Sequence, residues 1–303
     1  MSVTAVLITC DDAEVLEPCL ASVASWVDEI VVLDMHSSDG SRDIAARHGA
    51  RVELHPRLDY CEPARNAAIA LASSDWVLVL DPDERIMEPL AVELQRIVRE
   101  DAYDVVDIPR LQMAFGRVLT SPGAQDGSHP RFFRRGVADW PVTIHERPAF
   151  TGLRRLELLG VDGWQEKGLA MVHDTWRSPH QVLAKIARYV PQDARRRLDR
   201  GEDFSFPAMA GAAFQEFRER FVVGRGYQDG VAGFLHATLF TVQSLGVHAE
   251  MWSQQGRPAQ EDASVATWGR RLERSNRGID GVVQPARRVV RRTRRVLRRL
   301  GSG

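Results

Sequence analysis

The run Trp76-Val77-Leu78-Val79-Leu80-Asp81-Pro82-Asp83-Glu84-Arg85 decides how this chain is read. Five apolar residues end abruptly in carboxylates, the pattern of a strand buried on both faces where it leaves a sheet. Side chains alternate along an extended chain, which predicts Asp81 and Asp83 on the same side of it. Pro82 cannot donate to a ladder and stiffens the exit. Two hard oxygen donors at such a tip suit Mg²⁺ or Mn²⁺, ions that take one or two carboxylates and leave their other positions to water and phosphate. Strand tips are also where open α/β sheets bind ligands. An acidic turn with no ligand has the same local pattern, so the neighbouring segments must discriminate.

Upstream, Val3–Thr9 reads as a buried first strand ending at Cys10-Asp11-Asp12, and Val15, Leu16, Cys19, Leu20, Val23 and Trp26 then recur at helical spacing. Ile30–Asp34 reads as a second short strand, followed by the turn and cap residues His36-Ser37-Ser38-Asp39-Gly40-Ser41. A helix from Asp43 to His48, a third strand Arg51–Leu54 and a helix from Pro63 to Ser73 lead into the Asp75–Leu80 strand. Strands alternating with helices predict a mostly parallel sheet with right-handed crossovers. Three of these strands end in acids: Asp11, Asp34 and Asp81. The chain has no G-x-G-x-x-G and no G-K-[ST] loop, which argues against a dinucleotide fold or a P-loop. Carboxylates at several strand tips would instead hydrogen-bond a base and ribose and hold a cation, the make-up of an acid-built site for a nucleoside diphosphate.

Two blocks carry a family resemblance. Ile30-Val31-Val32-Leu33-Asp34-Met35-His36-Ser37-Ser38-Asp39-Gly40-Ser41 is similar to the strand-and-loop block of family 2 glycosyltransferases with the GT-A fold. Ala64-Arg65-Asn66-Ala67, followed by Asp75-Trp76 through Asp81-Pro82-Asp83-Glu84, resembles that family's metal-binding block in order and spacing. His129 to Arg134, Ile144-His145-Glu146 and Val172 to Ser178, with Lys185 and Tyr189, look like the branch containing the lipopolysaccharide inner-core β-1,4-glucosyltransferases. The resemblance runs from about Val3 to Trp252 and is densest in the first third. Asp11-Asp12 stands where the family usually has Asn-Glu, and Met35-His36 replaces small residues. Both departures touch nucleotide contacts.

The resemblance implies an α/β GT-A fold, Rossmann-like, with a mixed, mostly parallel sheet and a C-terminal helical appendage. It implies an inverting, metal-dependent transfer of a sugar from a nucleotide-diphosphate donor, UDP favoured, to a hydroxyl of a cell-envelope glycan or lipid-linked saccharide. Family-matched positions give Thr9, Asp11, Asp34 and Arg65 to the nucleotide, with Asp39 as a further contact. Asp81 goes to ribose or metal and Asp83 to Mg²⁺ or Mn²⁺, and His173, in a His-Asp pair next to an aromatic, is a candidate third metal or phosphate contact. A general base must take the acceptor proton. Glu146 fits that role, Asp139 is the second candidate, and an ion pair of Glu146 with Arg147 or Arg134 is the structural alternative. Two other functions compete: an inactive nucleotide-sugar-binding scaffold, which would have no need of Asp81, Asp83 and Glu146, and a sugar-1-phosphate nucleotidyltransferase, which would need a Gly-rich triphosphate loop where Cys10-Asp11-Asp12 stands.

The remaining readings concern organisation. With 303 residues, 44% of them hydrophobic and 27% charged, the composition is that of an ordinary globular protein. The expected division is a catalytic domain over 1–178, a helical appendage over 179–253, a linker over 254–284 and a basic tail over 285–303. Gly116 to His129 is polar and Gly-rich, which fits a binding loop or disorder. Arg131-Phe132-Phe133-Arg134-Arg135 fits either a strand bringing arginines near phosphate or an edge strand with solvated arginines. Three cysteines without paired spacing predict reduced thiols and a cytoplasmic setting, with no signal peptide. Phe234 to Val247 is interrupted by His236 and Gln243, so no spanning helix is expected. The formal net charge of -1 hides eight arginines and no acid between Arg287 and Gly303. Val289, Val290, Val296, Leu297 and Leu300 share a helical face there, which predicts contact with an anionic membrane in preference to nucleic acid.

Overall fold

The structure, a computed structural model, describes residues 1–58, 61–125, 127–141, 148, 150, 152–259 and 261–274. The first part alternates as the pattern predicts: β1 (Val3–Thr9), α1 (Ala13–Ala21), β2 (Glu29–Asp34), α2 (Ser41–Arg47), β3 (Arg51–Leu54), α3 (Glu62–Ala70) and β4 (Trp76–Leu80). A short β5 (Glu84–Ile86), α4 (Glu88–Glu100), β6 (Val105–Ala114), β7 (Arg117–Val118), β8 (Ser128–Arg134), β9 (Arg155–Glu157) and β10 (Met171–Trp176) follow. Helices α5 (Pro179–Asp199), α6 (Phe206–Phe217) and α7 (Gly230–Gln254) come last, and residues 261–274 are also helical.

The strands join in the order β3-β2-β1-β4-β8-β6-β10-β5, with β7 and β9 added alongside β6. The β3-β2-β1-β4 half is parallel, β8 runs antiparallel to β4 and β6, and β10 runs parallel to β6. This is the mostly parallel α/β sheet that the alternating pattern predicted, in the GT-A arrangement that the family resemblance implied. Both faces are covered, which is why β1 and β4 show no polar alternation. Leu7, Trp76, Leu78 and Leu80 pack with Leu16 and Leu20 of α1 and Leu90 and Leu94 of α4. Val6, Ile8, Val77 and Val79 face Ala64 and Ala68 of α3 on the other side. The β4 residues that precede Asp81 in phase therefore look toward α3.

Three expectations change. β8 is an interior strand between β4 and β6, so Arg131 is buried while Arg135 is exposed; the edge-strand alternative does not hold. The segment after β7 is neither a free loop nor disordered where it is described. Asp229 accepts from Thr120 N at 2.9 Å, Thr120 Oγ1 at 3.0 Å and Ser121 N at 3.1 Å. Gly123 N donates to Gly224 O at 2.9 Å, and a Cβ on Gly224 would fall 2.4 Å from Gly123 Cα, so this crossing admits only glycine. Residues Gly226–Gln254 form a helical stretch long and apolar enough, by length and composition, to cross a membrane, with a third of its most apolar window buried. His236 and Gln243 do not interrupt it, because a helix tolerates single polar residues that a linear reading counts as breaks.

The chain forms two compact units. One is Met1–Ala184 with Arg218–Leu239, and the other is Lys185–Phe217 with Phe240–Gly303. The expected boundary at 178/179 thus falls near the observed one, but the 218–239 segment belongs to the first unit. In the second, Ala194, Val247 and Met251 pack with Val190, Leu198 and Phe204, and Phe206 meets Trp268 edge-on at 5.5 Å. Helical residues 261–274 lie in the stretch expected to be a linker. The basic tail 285–303 and Glu146 lie outside the described residues.

Candidate active site

The chain leaves extended geometry at Asp81. Glu84 N donates to Asp81 O at 2.9 Å, closing a turn with Pro82 at its second position, and the chain then re-enters the sheet as β5 against β10. The expected side-by-side placement of Asp81 and Asp83 therefore does not form. Asp81 keeps the phase of Val77 and Val79 and turns toward α3. Its Oδ1 accepts from Arg65 Nη2 at 3.1 Å and its Oδ2 from Arg131 Nη2. Glu84, fully buried, returns to the same point: Oε2 accepts from Asp81 N at 2.9 Å, and Oε1 accepts from Arg131 Nη2 at 2.9 Å and Arg110 Nη1 at 3.2 Å. Burial alone would raise the Asp81 carboxyl, but Arg131 and Arg65 hold it well below the usual carboxylate range.

Asp83 points elsewhere. Its Oδ1 lies 3.5 Å from His173 Nε2, because β10 brings His173 into register with Glu84. The other ring nitrogen, Nδ1, is 2.9 Å from Gln112 Oε1 on β6. With the proton on Nδ1 donated to that carbonyl, Nε2 is the lone-pair atom facing Asp83. A carboxylate oxygen and an imidazole nitrogen at this separation fit a divalent cation of the Mn²⁺ or Mg²⁺ kind, with water and phosphate completing the shell. Among the described residues no three His, Cys, Asp or Glu side chains gather into a cation site, so the protein's share of such a shell would be this pair.

The tips of β1 and β2 are stitched together by acids and serines. Asp11, at a positive φ of 59°, accepts from Ser38 N at 2.6 Å and Arg57 Nη2 at 2.7 Å; the Ser38 amide and Arg57 pull its pKa down to about 2. Asp12 accepts from Cys10 N at 2.8 Å and Thr9 Oγ1 at 3.0 Å, so the Thr9 hydroxyl already has a partner. Burial raises the Asp12 carboxyl, and the charges of Asp83 and Asp39 add to that. Asp39 accepts from Ser41 N at 2.9 Å and Ala13 N at 2.9 Å, bracing α1 and α2. Asp34 is enclosed: Oδ1 accepts from Ser37 N at 2.9 Å, whereas Oδ2 is buried without a donor. A buried carboxylate oxygen left unpaired costs free energy that a donor on a ligand would recover.

Asp139 is exposed beside α3, where Asn66 Nδ2 donates to its Oδ1 at 3.1 Å. Asn66 also grips Trp140 from both sides, with Trp140 N to Asn66 Oδ1 at 2.8 Å and Asn66 Nδ2 to Trp140 O at 2.9 Å. The Arg65 guanidinium lies 5.0 Å over the Trp140 ring. Adjacent residues of α3 thus fix both Asp81 and the chain that leads toward Glu146. The structure brings Arg65, Asp81, Asp83 and His173 together at the β4 tip, and Thr9, Asp11, Asp34 and Asp39 at the neighbouring β1 and β2 tips. Sequence reasoning missed Arg110 and Gln112, gave Glu84 no role, and left Arg131 open between a strand near phosphate and a solvated edge. Arg131 left a signal, since Phe132 and Phe133 follow it in a strand and pack into cores on opposite faces of the sheet.

The described residues thus place acids at the tips of adjacent strands of an α/β sheet, with one carboxylate beside an imidazole. Comparison with known proteins gives the family. Residues 4–159, about half of the chain, match the family described as Glycosyl transferase family 2, and the chain belongs to that family. An uncharacterized glycosyltransferase of Rickettsia bellii is 24% identical over 241 residues, covering 78% of this chain and 82% of that one. A TPR repeat-containing protein of Synechococcus elongatus is 45% identical over 89 residues, which is 29% of this chain and 22% of that protein's length. Among solved structures, S. aureus TarS residues 1–349 in complex with UDP-GlcNAc is 15% identical, covers 81% of this chain and 82% of that one, and has a TM-score of 0.47.

Proposed function

We propose that this chain is an inverting glycosyltransferase that moves a sugar from a nucleotide-diphosphate donor, UDP favoured, to a hydroxyl of a cell-envelope glycan or lipid-linked saccharide. The lipopolysaccharide inner-core branch is the finer assignment, and it rests on the motif resemblance. The observation that carries the reading is the Asp83–His173 pair, held by a turn at the tip of β4 in a family 2 domain. Asp83 and His173 would hold Mg²⁺ or Mn²⁺. When bound, such an ion neutralises the charge that develops on a leaving diphosphate. Asp34 Oδ2 would accept from a base imide once the residues that enclose it are displaced, and Asp11 and Asp39 fix the loops around that place. Arg65 acts through Asp81 and Trp140. The acceptor hydroxyl gives its proton to Glu146, with Asp139 as the second candidate.

The reading places the enzyme on the cytoplasmic side, with the arginine-rich tail engaging anionic lipid and no nucleic-acid role. Val222, Val223, Tyr227, Val231 and Phe234 are exposed within one short stretch of the first unit, which adds apolar surface suited to an interface. The test is hydrolysis and transfer across a panel of nucleotide sugars, with and without Mn²⁺. One uridine-linked sugar should dominate, EDTA should abolish turnover, and Glu146→Gln should lower it by roughly two to four orders of magnitude while sparing donor binding. Full turnover in EDTA removes the metal role; an inactive Asp139→Asn beside an active Glu146→Gln transfers the base to Asp139.

A further inference from the structure

Arg131 has no part in the donor, metal and base assignments, yet it is as enclosed as Arg65 beside them. It reaches the β4 tip from β8, three strand positions from Arg134, whose side chain instead pairs with Asp101 and Asp104 at the rim. Arg131 is 5% exposed and joins two carboxylates through one nitrogen, Nη2: Asp81 Oδ2 and Glu84 Oε1. Those two acids begin and end the turn that contains Asp83, and Glu84 also caps the Asp81 amide. The geometry is that of a cross-brace. Removing it leaves Asp81 tied only to Arg65 and Glu84 only to Arg110 among these guanidiniums, with neither of them joining the two carboxylates. The bond from the Asp81 amide to the Glu84 side chain then remains between the two ends of the turn.

We infer that Arg131 is a positioning residue that fixes the Asp81–Glu84 turn and so aims Asp83 at His173. The claim deepens the proposed function, since the consequence for a cation rests on the donor-and-metal reading, while the brace itself does not. Two features favour this role over a simple structural one. Arg131 Nε and Nη1 are buried and unpartnered, so a large, charged side chain is retained where only one of its nitrogens is used. An apolar side chain of similar length would fill that interior space without the desolvation that a guanidinium suffers. What the apolar chain could not do is hold two carboxylates at one point.

The test uses the full chain as Arg131→Met, Arg131→Lys and, as a control on the same strand, Arg134→Met. Two readouts are taken: amide hydrogen exchange over residues 81–86, and Mn²⁺-dependent binding of UDP by calorimetry. Arg131→Met should speed exchange in 81–86 at least tenfold relative to the β1 and β2 amides and weaken Mn²⁺-dependent UDP binding by tenfold or more. Arg131→Lys, which keeps a charge but not the forked geometry, should fall between Met and wild type, and Arg134→Met should leave both readouts unchanged. Exchange in 81–86 that stays at the wild-type level in folded Arg131→Met, or that rises only in step with β1 and β2, overturns the brace. Wild-type protein that shows no Mn²⁺-dependent UDP binding overturns the donor reading instead, and the exchange result still decides the brace.

Discussion

Asp81 and Asp83 belong to one sequence motif but should fail in different ways when their charge is removed. Asp81→Asn replaces a carboxylate whose two oxygens accept from Arg65 and Arg131, both 5% exposed. The amide keeps one acceptor, loses the charge and turns an NH₂ group toward a guanidinium. Breaking a buried ion pair by removing one partner costs about 3–5 kcal/mol. Against a total stability of about 5–15 kcal/mol, that is a large fraction. With m of about 2–3 kcal/mol/M, the urea midpoint of the first unit should fall by roughly 1–2 M. Asp83→Asn touches a partly exposed acid paired with an imidazole and should cost at most about 1 kcal/mol while abolishing Mn²⁺-dependent UDP binding. The pH dependence follows from the depressed Asp81 carboxyl: the stability it contributes is fully present above about pH 4 and is lost only as pH falls through its lowered folded value. Tryptophan fluorescence during urea titration reads the unfolding, since Trp76 and Trp140 both lie in the first unit. Equal midpoints for the two variants, or a larger loss in Asp83→Asn, would refute the division of roles.

Three further outcomes are expected. Asp34→Asn puts an NH₂ donor in place of the unpartnered Oδ2, because Ser37 N retains the other oxygen; UDP binding should weaken tenfold or more by calorimetry and CDP binding should not, whereas unchanged UDP affinity would remove Asp34 from base recognition. His236, packed 4.8 Å from Trp176, has its pKa lowered to about 4, first by burial and then by Arg220. The unfolded chain therefore binds the extra proton between about pH 6.5 and 4, stability falls by up to about 3 kcal/mol as pH drops through that window, and His236→Gln should flatten this limb of the urea-midpoint profile. A chain ending at Gln284 should lose sedimentation with anionic vesicles while keeping turnover on a soluble acceptor, and equal sedimentation of the two chains would exclude the tail.

The strands and the site's location were legible because burial on both faces leaves a plain apolar run, and such runs end where the sheet does. Val3–Thr9 and Arg51–Leu54 fall where the pattern puts them, and β2 and β4 begin one residue from their expected starts. Side-chain roles at the tips were less legible. Period-two alternation holds only while the chain stays extended, and the turn at Pro82 ends it, so Asp83 faces His173 while Asp81 faces the arginines. Arg131 and Glu84 were hidden for a different reason. A charged residue in a sequence carries no mark of burial, and only the antiparallel insertion of β8 between β4 and β6 brings Arg131 to Glu84 across 47 residues of chain. The glycine crossing at Gly123 and Gly224 is equally non-local; each glycine alone looks like a loop residue.

The arrangement of charge at the β4 tip bears on why the acids there coexist. Behind the turn, Arg65, Arg110 and Arg131 outnumber Asp81 and Glu84, so the two acids find their partners within the protein and that side carries a surplus of positive charge. In front of it, the charges of Asp83 and Asp39 act on Asp12, whose carboxyl is raised first by burial and then by them. A nucleoside diphosphate alone would meet repulsion from that front, and a cation alone would meet only two ligands there. In the proposed reading, the pair arriving together would cancel most of both charges, with Asp83 and His173 holding the cation. The fixed arginines would allow this ordering: engaged with Asp81 and Glu84, they would keep those acids out of competition for an ion and leave Asp83, the acid beside an imidazole, to meet it.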